Sequence, residues 1–194
     1  MRKSIYLLRD EALSSGRSVF SYAQLSKLFR IKQGEAKVYA SRLIARGFAT
    51  RAIEGRISFT DDRFVIATQL VEPSYISFTS ALYLREIILQ VPAVVECVTP
   101  VISNRLPALG IEYHKIDPIL FFGYERVSRG NNYVFLASPE KALLDMVYFS
   151  KIYDRAYGES FQYINFEQLA EYAGKFAGTR RGKKVMEWVR NHAK

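Results

Sequence analysis

Four polar side chains recur at helical spacing near the start of the chain: Gln33, Lys37, Ser41 and Arg42. Each type has a definite use against a nucleic-acid duplex. Gln and Ser hydrogen-bond base edges, Arg grips guanine through two parallel N–H groups, and Lys neutralises phosphate. Interleaved with them are Ala36, Tyr39, Ala40, Leu43 and Ile44, which at the same period point to a core. A helix over residues 33–46, closed by Gly47 as a C-cap, presents the first set and buries the second. Two further cations, Arg51 and Arg56, flank the tip of a hairpin pattern, within reach of backbone phosphate or the adjacent minor groove.

Other chemistries are poorly served. Gly178-Thr-Arg-Arg-Gly182-Lys183-Lys184 is an incomplete phosphate loop, with three residues between the glycines, no Ser or Thr after the lysine, and no apolar strand before it. It reads instead as a helix start capped by Thr179, with Arg180, Arg181, Lys183 and Lys184 outward. Those cations meet phosphate, an acidic partner surface or only water. There is no Gly-x-Ser-x-Gly elbow, and the single cysteine, Cys97, lies in a strand-like apolar run as a core residue. Glu140 and Asp145 are five apart and share no helical face, so a paired-carboxylate site is not expected there. His114 alternates with Tyr113 as a surface or hydrogen-bonded imidazole, and His192 falls in a fraying tail. No catalytic residue, metal ligand set or cofactor motif is therefore expected. From Tyr148 to Phe176 run nine aromatics: Tyr148, Phe149, Tyr153, Tyr157, Phe161, Tyr163, Phe166, Tyr172 and Phe176. They serve to anchor helices on a sheet, to stack unpaired bases, or as a patch for a protein partner.

The elements that position these residues fall into two regimes. Residues 3–14 place Ile5, Leu8, Ala12 and Leu13 on one helical stripe with Tyr6 alongside, and Ser21 caps a second helix over residues 22–29 whose apolar side is Leu25, Leu28 and Phe29. After the third helix, residues 48–53 and 56–60 read as two strands around Glu54-Gly55. Helix, helix, helix, hairpin is the order of a winged helix-turn-helix, assigned to residues 1–63. From Pro73 onward the pattern is mixed. It has a helix over residues 79–89 and strands over 93–98, 111–116, 120–124 and 133–136. A helix then opens on Ser138-Pro139-Glu140, followed by helices over 166–175 and 179–192. The fold class is α+β: a winged helix followed, over residues 64–194, by an α/β domain whose four or five short strands are covered by helices.

The chain has 194 residues and a net charge of +9, unevenly spread. Residues 1–63 carry 13 Lys/Arg against 6 Asp/Glu, residues 64–174 carry 8 against 12, and residues 175–194 carry 7 against 1. A basic head, an acidic middle and a basic tail suit contact with a polyanion at the ends. No apolar run reaches the length of a membrane helix, and Ile5–Leu8 is cut short by Arg9-Asp10-Glu11, so neither a membrane span nor a signal peptide is read here. With its unpaired cysteine, the chain is expected in the cytoplasm.

Two phrases carry a resemblance. Ser74-Tyr-Ile-Ser-Phe-Thr-Ser-Ala-Leu-Tyr-Leu84, followed some fifty residues later by Ala137-Ser-Pro-Glu-Lys-Ala-Leu-Leu-Asp145 and preceded by a winged-helix pattern, resembles the AbiEi family of type IV antitoxins. The resemblance spans about residues 5–190, and its second phrase is the more specific. It implies a prokaryotic repressor that binds double-stranded DNA at its own operator. It also implies a partner toxin resembling a nucleotidyltransferase. On that basis Gln33, Lys37, Ser41 and Arg42 face DNA with Arg51 and Arg56 in the wing, while Ser138, Pro139, Glu140, Lys141 and Asp145 match the family's phrase, either as the start of a buried helix or as a functional site. Two alternatives remain: a regulator whose second domain senses a small ligand, and an enzyme acting on nucleic acid with the head as its targeting module.

Overall fold

The computed structural model describes residues 4–151, 158 and 161–192. It is α+β and divides into two compact units, Met1–Glu72 with Val127–Val134, and Pro73–Arg126 with Phe135–Lys194. The first unit therefore runs beyond residue 63.

The first unit contains α1 (Ile5–Ser14), β1 (Val19–Ser21), α2 (Tyr22–Phe29), α3 (Gln33–Ala45), β2 (Thr50–Ile53), β3 (Arg56–Ser58) and α4 (Arg63–Leu70). Ser21 caps α2 as expected, and reciprocally: Gln24 N–H donates to Ser21 Oγ at 3.1 Å, and Ser21 N–H donates to Gln24 Oε1 at 2.7 Å. α2 ends where Arg30 turns left-handed, at φ +53°. α3 ends in a double C-terminal bond: Gly47 N–H donates to Ile44 O and Phe48 N–H to Leu43 O, both at 2.9 Å. This requires Gly47 at φ +70°, where a side chain is disfavoured. Leu8 and Ala12 of α1, Leu25 and Phe29 of α2, and Ala36, Tyr39, Ala40 and Leu43 of α3 close one apolar core with Phe20 and Ile57. Leu13, expected on the buried stripe, is exposed; α1 turns only Leu8 and Ala12 fully inward.

Two elements of this unit have no counterpart in the expected order. β1 is only three residues long, too short to show alternation, yet it pairs with β3 to make a three-stranded antiparallel sheet in the order β1-β3-β2. α4 is buried at every position from Phe64 to Leu70, so it has no amphipathic stripe to announce it. Asp62 caps its start, accepting from Phe64 N–H at 2.9 Å. Its Gln69 Oε1 accepts from the Ser18 and Val19 N–H groups at 2.8 and 3.0 Å, which ties α4 to β1.

The second unit contains β4 (Tyr75–Ile76), α5 (Phe78–Leu84), β5 (Val95–Thr99), β6 (Asn104–Leu106), β7 (Ile111–Lys115), β8 (Tyr124–Arg129), β9 (Asn132–Ala137), α6 (Pro139–Tyr148), α7 (Phe166–Gly174) and α8 (Gly182–His192). Residues 127–134 of the β8–β9 hairpin count with the first unit, where Ser18 Oγ donates to Asn132 Oδ1 at 2.6 Å. The sheet has six strands in the order β6-β7-β5-β4-β9-β8, with β5–β7 and β4–β9 parallel. Of residues 120–124, read as a strand, Leu120 instead closes a 3-10 turn at Pro118–Leu120 that Asp117 caps, and strand pairing starts only at Tyr124. The helix expected over 79–89 stops at Leu84, because Glu86 turns left-handed at φ +60° and Ile87 N–H bonds back to Leu82 O. α6 opens on Ser138 as expected, Lys141 N–H donating to its Oγ at 3.2 Å.

Candidate nucleic-acid interface

α3 presents the expected face. Gln33, Lys37, Ser41 and Arg42 are all exposed, while Ala36, Tyr39, Ala40 and Leu43 are buried and Ile44 is half-buried. Arg42 is exposed and lies over the ring of Tyr39 at 5.5 Å, a contact that steadies its guanidinium. Ser41 Oγ donates to Lys37 O at 3.1 Å, so its proton is engaged and its lone pairs face out. Among the described residues neither Lys37 nor Arg42 has a carboxylate partner. Glu35, the acidic residue of this helix, turns back to accept from Lys32 N–H at 3.0 Å. Val38 also lies on this face, and its apolar side chain gave no signal for it in the sequence. Steps of about 100° along the helix place it between Ser41 and Arg42, and it is 50% exposed, an apolar spot at the centre of a polar face.

The hairpin is less symmetrical. Ladder partners are Arg51 with Ile57 and Arg56 with Ile53, separated by a bulge in β2. Arg56 and Ile57 are consecutive, so the two arginines fall on opposite faces of the ribbon. Arg51 is exposed on the edge strand and Arg56 half-buried on the central one.

The four cations near the C-terminus are exposed, but two are occupied within the chain. Lys184 Nζ donates to Ser150 Oγ at 2.9 Å, and Arg181 lies over the ring of Tyr148 at 5.7 Å; Arg180 and Lys183 complete the set. Thr179 does not cap a helix start. Its hydroxyl donates to Phe176 O at 2.8 Å, and α8 begins three residues later at Gly182. A Cβ on Gly182 would fall 1.7 Å from that same Phe176 carbonyl oxygen, so packing accounts for this glycine. His192 is the last residue of α8 rather than part of a loose tail, its ring stacked on Trp188 at 4.7 Å. Tyr153 and Tyr157 lie outside the described residues. Of the other aromatics, Phe149 meets Phe78 at 5.7 Å, Tyr172 meets Phe122 at 5.2 Å and Tyr148 meets Phe176 at 5.5 Å, which is helix anchoring.

Two charge clusters of the second unit were not legible as clusters. In α6, Lys141 and Asp145 are both 0% exposed and ion-paired across one helical turn. Asp145 Oδ2 also accepts from Tyr75 Oη at 3.0 Å and Ser77 Oγ at 2.7 Å. The Lys141 ammonium lies 5.1–5.5 Å from the ring centroids of Tyr75, Phe122 and Phe176. Burial lowers the Lys141 pKa against the pull of Asp145, and burial with the Asp145 charge holds the Tyr75 phenol well above its ordinary value. A charge so enclosed cannot reach a ligand.

The other cluster lies on the sheet and brings together residues that the sequence reading did not connect. Parallel pairing sets Glu96 of β5 beside Glu112 of β7, and Val98 beside His114, so both glutamates and the histidine share a face of the sheet. His114 Nε2 is 3.3 Å from Glu96 Oε1 and 3.5 Å from Glu112 Oε1. Lys151, just past α6, is ion-paired with Glu96 and reaches Glu112 Oε1 at 3.5 Å and His114 Nε2 at 3.1 Å. Burial favours the neutral Glu96 carboxyl, but the bonds from His114 and Lys151 prevail and hold it below its ordinary value. Cys97, next to Glu96, is fully buried, and burial pushes its thiol well up. No helix among the described residues is long and apolar enough to cross a membrane. Searches against protein-family models and curated proteins find no match to this chain.

Proposed function

We propose that this chain is a sequence-specific DNA-binding transcriptional repressor whose first unit is a winged helix-turn-helix, and that it acts by binding rather than by catalysis. The observation that carries this reading is the outward face of α3: a glutamine, a lysine, a serine and an arginine, exposed, with neither cation paired to a carboxylate among the described residues, on a helix whose other side is locked into a core. Such a helix enters the major groove, with Arg42 and Gln33 at base edges and Lys37 at phosphate. Val38 suits a thymine methyl group, the apolar feature of that groove. Arg51 on the exposed edge of the ribbon is the better placed of the two hairpin arginines for backbone phosphate. The resemblance of the Ser74–Leu84 and Ala137–Asp145 phrases to AbiEi antitoxins extends the reading to the antitoxin of a type IV pair, opposing a nucleotidyltransferase-like toxin.

The test is titration of the full chain against duplex from its own promoter region at several salt concentrations. Lys37→Ala should weaken binding and reduce the log–log salt slope by about 0.9. Arg42→Ala should cost about 1–3 kcal/mol, roughly five- to 150-fold, and relax preference at one base pair. Both should leave Tm unchanged within about 2 °C, as exposed positions do. Near-native operator affinity in the double variant would overturn the assignment of α3. Co-expression with the product of the neighbouring reading frame separates antitoxin from simple repressor: rescue of growth supports the first.

A further inference from the structure

The Glu96, Glu112, His114 and Lys151 cluster sits on β5 and β7 and just past α6, apart from the α3 face. One nitrogen and two carboxylate oxygens there lie within 4.8 Å of one another. The two distances from His114 Nε2, 3.3 and 3.5 Å, match the edge of a tetrahedron whose centre is about 2.1 Å from each corner, the usual zinc–ligand length. A cation already lies among these atoms. The Lys151 ammonium touches all three residues: it is ion-paired with Glu96 and lies 3.1 Å from His114 Nε2 and 3.5 Å from Glu112 Oε1. A metal in its place would bind His114 Nε2 through the lone pair, in the tautomer that carries the proton on Nδ1.

We propose that Glu96, Glu112 and His114 form a site for one divalent transition metal, Zn²⁺ by its mixed nitrogen and carboxylate donors, and that Lys151 is a tethered ammonium plug that the metal displaces. The imidazole selects against Mg²⁺ and Ca²⁺, which prefer all-oxygen shells. Three protein donors leave a fourth position open, as in sites that bind water or an exogenous ligand. Zn²⁺ brings two charges to a pair of carboxylates where the ammonium brings one. Lys151 keeps a partly exposed side chain, which gives it a way out, and Arg105 stays with Glu112 at 3.1 Å from the solvent side. Metal uptake and release of Lys151 are thereby one equilibrium, placed directly at the C-terminal end of α6.

The experiment is competition of the full chain against a chromophoric chelator for Zn²⁺, with Co²⁺ absorption as a report on geometry. One equivalent should bind, with tetrahedral Co²⁺ bands. Lys151→Met should bind at least about tenfold more tightly, since the competing cation is gone. His114→Ala and the isosteric Glu112→Gln should each lose most of the affinity, whereas His192→Ala, in the other histidine, should change nothing. Folding of each variant is checked by circular dichroism, and Glu112→Gln stands if His114→Ala does not fold. Binding by neither the wild type nor Lys151→Met overturns the site, as does Glu112→Gln binding like the wild type. Equal affinity in Lys151→Met and wild type overturns the plug.

Discussion

Lys37 of α3 and Lys141 of α6 are the same residue type in the first half of a helix, and they end in opposite environments. Lys37 is exposed on a helix with one buried side, with no carboxylate partner among the described residues. Lys141 belongs to a helix buried on every side from Glu140 to Val147, and its charge is balanced by Asp145 and surrounded by three rings. The difference shows what exposure does to a charge. In water an ammonium remains available and costs the fold nearly nothing, whereas out of water it becomes a constraint that binds its partner, its phenol and its hydroxyl into one arrangement. Lys141 and Asp145 are thus accounted for by the core that they hold together, while the cations of the α3 face stay open to solvent.

The largest effect expected follows from removing one half of the buried pair. Asp145→Ala leaves the Lys141 amine buried without its carboxylate partner, at a cost of about 3–5 kcal/mol in urea unfolding. Replacing both as Lys141→Met with Asp145→Leu should recover most of it; a double variant as unstable as the single one would assign the cost to packing instead. A smaller loss, about 1–3 kcal/mol, is expected for Gly182→Ala, whose new Cβ must push the Phe176 carbonyl away from the start of α8. A wild-type Tm there would mean that α8 starts elsewhere. The smallest effect concerns Glu96. Its folded pKa lies below the ordinary 4.5, so its contribution to stability is complete above that value and drains away as pH falls through the folded value. Glu96→Gln should flatten the acid limb of the stability profile below about pH 4.5 and leave the neutral region nearly parallel to wild type. An unchanged acid limb would show that the cluster does not hold its carboxylate charged. Lys37→Ala and Arg42→Ala complete the contrast, with duplex binding expected to weaken and stability to be kept.

The residues of α3 that face outward and inward were readable in the amino-acid order because a helix records its own periodicity, and Gly47 marks its end without help from the rest of the chain. The same holds for the caps at Ser21 and Ser138, whose partners lie three residues away. Elements with no internal pattern were not readable. β1 and β4 are too short to alternate, and α4 is buried all round, which erases the stripe that amphipathic helices display; α6, buried likewise, was readable from its Ser138 cap. Arg51 and Arg56 read as a pair flanking a turn until the bulge in β2 set them on opposite faces. The convergence of Glu96, Glu112, His114 and Lys151 depends on the parallel register of β5 against β7 and on where α6 ends, relations between segments far apart in the chain. Local order specifies which way a helix faces; which strands lie side by side is decided by burial shared among distant segments, and only the folded chain contains it.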